Sequence, residues 1–579
     1  MFETVKKFNK LLDSRQKKHV VILFFIILLG TVLEVMSVSM MVPMVSVLLN
    51  EELIDSNKTI VAIRNMLHIT TYRGFIIFCI VSLIVLYILK DSFIIFQNYV
   101  QARFVCNNRL AMQRRLLNII LKRPYDFFLN IRTGEVTQMV LRDPANAYGL
   151  LATLLSMVTE TIVSLALGIT VLIYEPVMTI IVSSVIILTM IVITKIARPR
   201  IKEAGETFRK CSNQANSWVI QIVNGIKEIK ITRREKFFER HYVEIADRGV
   251  KAEKKYKTIN GIPRALIEMM AITAALAAIL IMLLNGKNLT EMLPSLSAFA
   301  LAAVKLLPCA NKIAAALNDI TYQQTYLDKL IETIDNLEFK YNEVKYEDAI
   351  GKPQISLEDR IGVNDLSFRY PGSERYILKD ASFDIPVGKS VGIVGPSGAG
   401  KTTSIDIILG LLNPEKGTIT ADGVNIMDNY VGWLSHIGYI PQSIFMLDTS
   451  IRGNVAFGIP DDKVDDEKVR KAIKDAQLEE FVKSLPNGLD TSVGERGVCI
   501  SGGQRQRIGI ARALYYDPKL LVFDEATSSL DNDTESAIME SINSLHGKKT
   551  MIIIAHRLQT IEGCDMVYKV ADGKIVRER

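Results

Sequence analysis

At 579 residues the chain exceeds what one ordinary core supports, so more than one domain is expected. Apolar residues make up 49% and mean hydropathy is +0.22, too high for a wholly soluble protein, while 23% charged residues excludes a chain buried in membrane throughout. The net charge of +7 does not point to nucleic acid, because Lys and Arg gather beside apolar segments, and the six scattered cysteines form no CxxC pair of the zinc or redox kind.

The first apolar run is long and carries no small-residue cleavage motif, so it is expected to be retained as a span. A spanning helix needs about 20 mostly apolar residues. Six stretches meet or approach that length: 20–49, interrupted by Glu34 and Pro43, then 74–100, 148–173, 177–196, 263–285 and 293–317. Lys6, Lys7, Lys10, Arg15, Lys17 and Lys18 precede the first, and stretches 101–147 and 196–262 are also rich in Lys and Arg. The remaining connections, 50–73, Glu175-Pro176 and 286–292, carry no such excess. Cytoplasmic loops concentrate positive charge, which places both termini in the cytoplasm.

The two long basic connections lack the turn density of separate domains and predict helices that continue beyond the bilayer. Breaks are expected at Arg123-Pro124, Thr133-Gly134 and Asn224-Gly225. Ile60, Ile63 and Leu67 recur at helical spacing, which fits either an interfacial helix or an ordinary amphipathic connector. After residue 318 the sequence turns polar, and from 358 short β-rich runs alternate with helical patterns. The expected organisation is a six-helix membrane domain over 1–317, a linker over 318–357 and an α/β domain over 358–579.

Within that last domain, apolar Ser390–Val394 reads as a strand and a helical pattern runs through Leu411. Between them Gly395, Ser397, Gly398, Gly400, Lys401, Thr402 and Thr403 stand at P-loop spacing. Glycines let backbone N–H groups curl around phosphates, Lys401 reaches the outer phosphates and Thr402 is placed for Mg2+. The apolar run Leu520–Phe523 leads into Asp524 and Glu525, an acid for the metal and a second carboxylate to activate water. One such element arises by accident easily, since a buried strand often ends in an acid.

Ile500-Ser501-Gly502-Gly503-Gln504, lying between these elements, resembles the signature of ABC ATPases. Further matches follow: Tyr370 resembles the aromatic that stacks on adenine, Gln442 the switch-loop glutamine that meets the metal, and Ser528 to Asp531 the D-loop. His556 resembles the switch histidine near the γ-phosphate, and Glu495 lies in a loop typical of exporters. Ile500 and Ser529 replace the family's usual Leu and Ala without removing a phosphate or metal contact. The resemblance implies an ATP hydrolase in which Ser501 to Gln504 contact ATP held by the opposite P-loop, so a second copy or a homologous half-transporter completes each site.

Six spans before such a domain resemble ABC exporters, as do the loops Phe127 to Glu135 and Gly225 to Lys230. The implied fold class is a polytopic α-helical membrane domain joined to an α/β P-loop ABC ATPase. Charge inside the spans is the substrate clue, because a cation at a helix centre costs about 2.5–3.5 kcal/mol. Lys90, Arg264 and Lys305 are the candidates for an anion-binding cavity; alternatively Lys90 and Arg264 snorkel, or one pairs with Glu34 or Glu268.

Val304 to Ile313, with Ile262-Pro263-Arg264, resembles the PglK-type bacterial lipid-linked oligosaccharide flippases. That resemblance implies a homodimer in the bacterial plasma membrane, moving a polyprenyl diphosphate-linked glycan from the inner to the outer leaflet. A general lipid or amphiphile exporter shares every ATPase motif, and an ATP-gated channel or regulatory membrane protein is a third reading.

Overall fold

The computed structural model describes residues 2–49, 71–174, 176–284, 289–339, 354–525, 539–540, 542–555 and 561–579. The expected interfacial segment Ile60–Leu67, the D-loop and His556 lie outside them. Two compact units form: a helical one from residues 1–123 and 130–342, and an α/β one from residues 124–129 and 343–579.

In chain order the helices are α1 (Phe2–Leu11), α2 (Ser14–Leu49), α3 (Tyr72–Leu121), α4 (Tyr125–Asn130), α5 (Thr133–Thr137), α6 (Asp143–Tyr174), α7 (Pro176–Asn224), α8 (Ile226–Thr232), α9 (Glu235–Leu284) and α10 (Leu289–Phe339). A turn of π-helix, Gln138–Arg142, leads into α6. Among the described residues α2, α3, α7 and α9 contain stretches long and apolar enough to cross a membrane, as does the segment through α5 and α6. The sixth expected span falls in α10, where many side chains before Leu306 are outside the described set.

The long basic connections are helical, as their composition predicts. At 1.5 Å per residue the 50-residue α3 extends about 75 Å, more than twice the ~30 Å hydrocarbon core. The breaks at Arg123-Pro124 and Asn224-Gly225 occur as expected, and the third falls at 131–132, just before helical Thr133-Gly134. The helix stops before Pro124, which lacks an N–H and bars its predecessor from α geometry. Arg132 caps α5, and Gly225 caps α8, which closes on Arg233 in the left-handed region at φ 53°.

The domain limits differ from the sequence expectation at three places. Residue 317 is not the end of the sixth helix, because α10 continues through the polar change to Phe339. Ile320, Leu327, Leu330, Ile334 and Leu337 are buried at spacings of three, four and seven, so one apolar stripe sustains the helix while its other face turns polar. The linker also ends early, since Ile355 and Leu357 are packed into the α/β core. Residues 124–129, from the first basic connection, belong to the α/β unit.

That unit contains β1 (Arg360–Phe368), β2 (Leu378–Pro386), β3 (Ser390–Val394), α11 (Lys401–Ile408), β4 (Lys416–Ala421), β5 (Val424–Asn425), α12 (Tyr430–Leu434) and β6 (Ile437–Ile440). After them come α13 (Ile451–Val455), α14 (Asp466–Asp475), α15 (Glu479–Ser484), α16 (Gly502–Leu514), β7 (Leu520–Asp524), β8 (Thr550–Ile554), β9 (Met566–Ala571) and β10 (Lys574–Arg577). The larger sheet runs β10-β9-β3-β8-β7-β6, parallel from β9 to β6. An antiparallel sheet, β2-β1-β4-β5, forms the second layer. Continuous apolar runs in β7 and β8 suit strands covered on both faces. Because β3 and β7 both flank β8 and run parallel, the P-loop after β3 and the acids after β7 emerge at the same sheet edge.

Candidate nucleotide site and membrane charges

The chain leaves β3 through Gly395, at φ 154°, where an added Cβ would collide with the Val570 carbonyl oxygen. It enters α11 from Gly400, at φ 101°, where a Cβ would meet the Ile377 side chain. Only glycine serves at both positions. Lys401, 5% exposed, folds back so that Nζ donates to the Gly395 and Pro396 carbonyls at 3.0 and 3.2 Å, holding its charge at the mouth of the loop. The helix ends at Ile408 rather than Leu411, because Gly410 turns left-handed at φ 74°.

Opposite, Asp524 is 5% exposed and accepts from Thr402 Oγ1 at 3.5 Å and from the Tyr439 hydroxyl at 3.4 Å. Glu525 follows at φ 51°, strained backbone that its N–H stabilises by donating to the Ile554 carbonyl at 3.1 Å. Its Oε2 accepts from Gln442 Nε2 at 2.7 Å. Tyr370 packs edge-on to Phe368 and shares a 3.0 Å hydrogen bond between its hydroxyl and Thr403 Oγ1. Tyr439 escaped sequence reasoning. Only its place on a strand beside β7 brings it to Asp524, and the Tyr439 to Gln442 run supplied the signal.

Burial first, and then the charge of Glu525, raises the Asp524 carboxyl above the usual range. A shielded acid at hydrogen-bonding distance from the Thr402 hydroxyl fits a divalent cation, and Mg2+ supplies charge compensation when bound. On α11, Asp406 is pushed up to about 6 by burial and then by Asp524. A carboxyl raised in the folded state favours folding where it is protonated, so this contribution is complete below pH ~4 and is lost as pH rises through about 6. Asp406→Asn is therefore expected to flatten the fall in stability between pH 4 and 6. It should also stabilise the protein at pH 7 by on the order of 2 kcal/mol. Thermal unfolding of both proteins across that range checks this, and parallel pH profiles would contradict it.

Ser501 starts α16 with a capping box: its hydroxyl accepts from Gln504 N–H at 3.2 Å, and Gln504 Oε1 accepts from Ser501 N–H at 2.8 Å. Ser501 and Gly502 are exposed while Gly503 is buried, so the helix start is presented outward.

Two of the candidate cargo cations, Lys90 and Arg264, lie in different environments. Lys90 is 3% exposed, with Nζ 3.0 Å from Asp91 Oδ1, 3.9 Å from Glu34 Oε2 and 4.3 Å above the Tyr87 ring. Pairing with an acid, one of the two readings its sequence position offers, is observed for Lys90. Arg264 is exposed on α9, and the Lys305 side chain lies outside the described residues.

Residues 12–295 match the ABC transporter transmembrane region, and residues 378–528 match the ABC transporter family. The ATP-dependent lipid A-core flippase of Mannheimia succiniciproducens is 29% identical over 80% of this chain and 79% of that protein. Its namesake in Vibrio cholerae is 28% identical over 81% and 79%. ABC transporter B family member 21 of Arabidopsis thaliana is 36% identical over 47% of this chain, a match spanning only 20% of that longer protein. A solved bacterial Atm1-family ABC exporter with ATP bound has the same fold, with a TM-score of 0.75 at 23% identity over 97% of this chain and 95% of that one. A transmembrane region and an ATPase domain, matched in that order along one polypeptide and folded like a known exporter, make this chain an ABC exporter half-transporter that couples ATP hydrolysis to transport.

Proposed function

We propose that two copies of this chain form a flippase that turns a polyprenyl diphosphate-linked oligosaccharide from the inner to the outer leaflet of a bacterial plasma membrane, with both termini cytoplasmic. The observation carrying the lipid reading is likeness to lipid A-core flippases across about four-fifths of both chains. The glycan reading rests on the PglK-like sequence at Ile262 to Arg264 and Val304 to Ile313.

In each ATP site Lys401 and the backbone of the Gly395–Thr403 loop bind phosphates, Tyr370 orients the base, and Glu525, steadied by Gln442, takes the proton of the attacking water. His556 holds the γ-phosphate end. Mg2+, held by Thr402, Gln442 and Asp524, would supply the positive charge that the phosphates require. The outward-presented Ser501 to Gln504 helix start contacts the nucleotide bound by the other copy. Coupling follows if ATP binding favours one arrangement of the spans over the other. Lys90, Arg264 and Lys305 then meet the diphosphate.

In proteoliposomes, ATP is expected to drive flipping of a fluorescent polyprenyl diphosphate-linked glycan. Replacing Arg264 and Lys305 together by Ala is expected to slow it at least tenfold while ATP hydrolysis continues. Transport of an amphiphilic dye with no glycolipid movement would replace this reading by the general amphiphile exporter, which the lipid A-core relatives also accommodate.

A further inference from the structure

Beyond the apolar part of the helical unit, where α5 meets α7 and α9, a polar cleft remains that ATP hydrolysis does not use. Arg132, Glu135, Asn213, Trp218, His241 and Arg248 line it, and its volume is about 450 Å3, within the range of roughly 300–1,000 Å3 common for small-ligand sites.

Its walls are pinned. Gly134 of α5 is buried against α7, and a Cβ there would run into the Ser217 hydroxyl. That close approach sets Arg132, the α5 N-cap, and Glu135, in its first turn, along one side. On the other side Trp218 donates Nε1–H to the Phe238 carbonyl at 3.1 Å, stacks on the Phe238 ring and meets His241 edge-on at 4.5 Å. Arg142 ties the same stretch of α7 by donating to Ser212 Oγ and Asn216 Oδ1 at 2.8 and 3.1 Å. Side chains ordered in advance lower the entropy lost on binding.

The chemistry is mixed. Two guanidinium groups outweigh the Glu135 carboxylate. The Glu135 carboxylate accepts hydrogen bonds and the two guanidinium groups donate them, so the cleft suits a ligand with hydroxyl donors as well as an anion. A phosphorylated sugar carries both. Its phosphate oxygens suit Arg132 and Arg248, and its hydroxyls suit Glu135.

We propose that this cleft binds a phosphorylated sugar, either soluble or as the headgroup of a prenyl-linked glycan. The inference does not depend on the flippase reading, because it is tested by binding and not by transport.

Trp218 and Trp433 are the two tryptophans of the chain, and Trp433 is 0% exposed in the α/β core, so a ligand-dependent change in emission reports Trp218. The full chain in nanodiscs is titrated with glucose 6-phosphate, glucose and inorganic phosphate, and separately with nanodiscs containing a polyprenyl diphosphate-linked disaccharide. A saturable change is expected with glucose 6-phosphate, at least tenfold tighter than with glucose or phosphate. Arg248→Ala should weaken it at least tenfold without shifting thermal unfolding. The same change from the linked disaccharide alone would uphold the chemistry and assign the site to a lipid headgroup. No saturable change with either sugar, a response to phosphate equal to that to the sugar phosphate, or a response unaltered in Arg248→Ala would overturn the proposal.

Discussion

Glu525→Gln is expected to slow steady-state ATP hydrolysis by at least about a hundredfold while leaving ATP binding within a few-fold of the parent, because a positioned general base contributes typically 10²–10⁴-fold. Glutamine keeps the size of the side chain and its hydrogen bonding to Gln442, and the strained φ of 51° is set by the Glu525 N–H bond to Ile554, which the substitution retains. What disappears is the carboxylate that accepts the proton. Phosphate release and binding of a fluorescent ATP analogue, measured on the same preparation, separate the two effects. Less than a tenfold loss of hydrolysis would remove Glu525 from the role of base. ATP-driven glycolipid flipping should stop in the same variant.

Lys401→Ala should act one step earlier, on binding. Hydrogen bonds to charged groups contribute about 1.5–3 kcal/mol, so removing this ammonium should weaken ATP affinity by roughly tenfold to a hundredfold. The Gly395 and Pro396 carbonyls also lose the donor that draws the two ends of the loop together. Equilibrium binding without hydrolysis, on the Glu525→Gln background, isolates this effect. Affinity unchanged within threefold would contradict the assignment of Lys401 to the phosphates.

The phosphate loop was legible because its chemistry is local. Gly395 to Thr403 lie within nine consecutive residues, and the left-handed or sterically closed positions at Gly395 and Gly400 admit no side chain. The helix breaks at Pro124 and Gly225 were legible for the same reason, since a missing N–H or Cβ acts on adjacent residues. The end of the sixth helix was not. Its last turns read as linker by average polarity, and only packing shows that Leu327, Leu330, Ile334 and Leu337 form one buried stripe.

Charge inside the membrane domain marks the same boundary between local and distant information. Lys90 stood out by sequence as a costly cation, and both a cargo contact and a pair with Glu34 were consistent with that cost. The approach of α2 to α3 brings the pair together, at 3.9 Å across 56 residues of sequence.

The sequence by itself determined the chemistry that neighbouring residues carry: the phosphate loop, the paired acids after an apolar strand, and long apolar helices with basic flanks. Tertiary structure decided which distant groups meet. Parallel order around β8 brings Asp524 to Thr402, and pairing of β6 with β7 brings Tyr439 to Asp524. Close packing of α5, α7 and α9 creates the arginine-lined cleft. Spacing along a chain specifies local backbone geometry, whereas these encounters depend on how buried faces pair, and that is settled only when the whole core is packed.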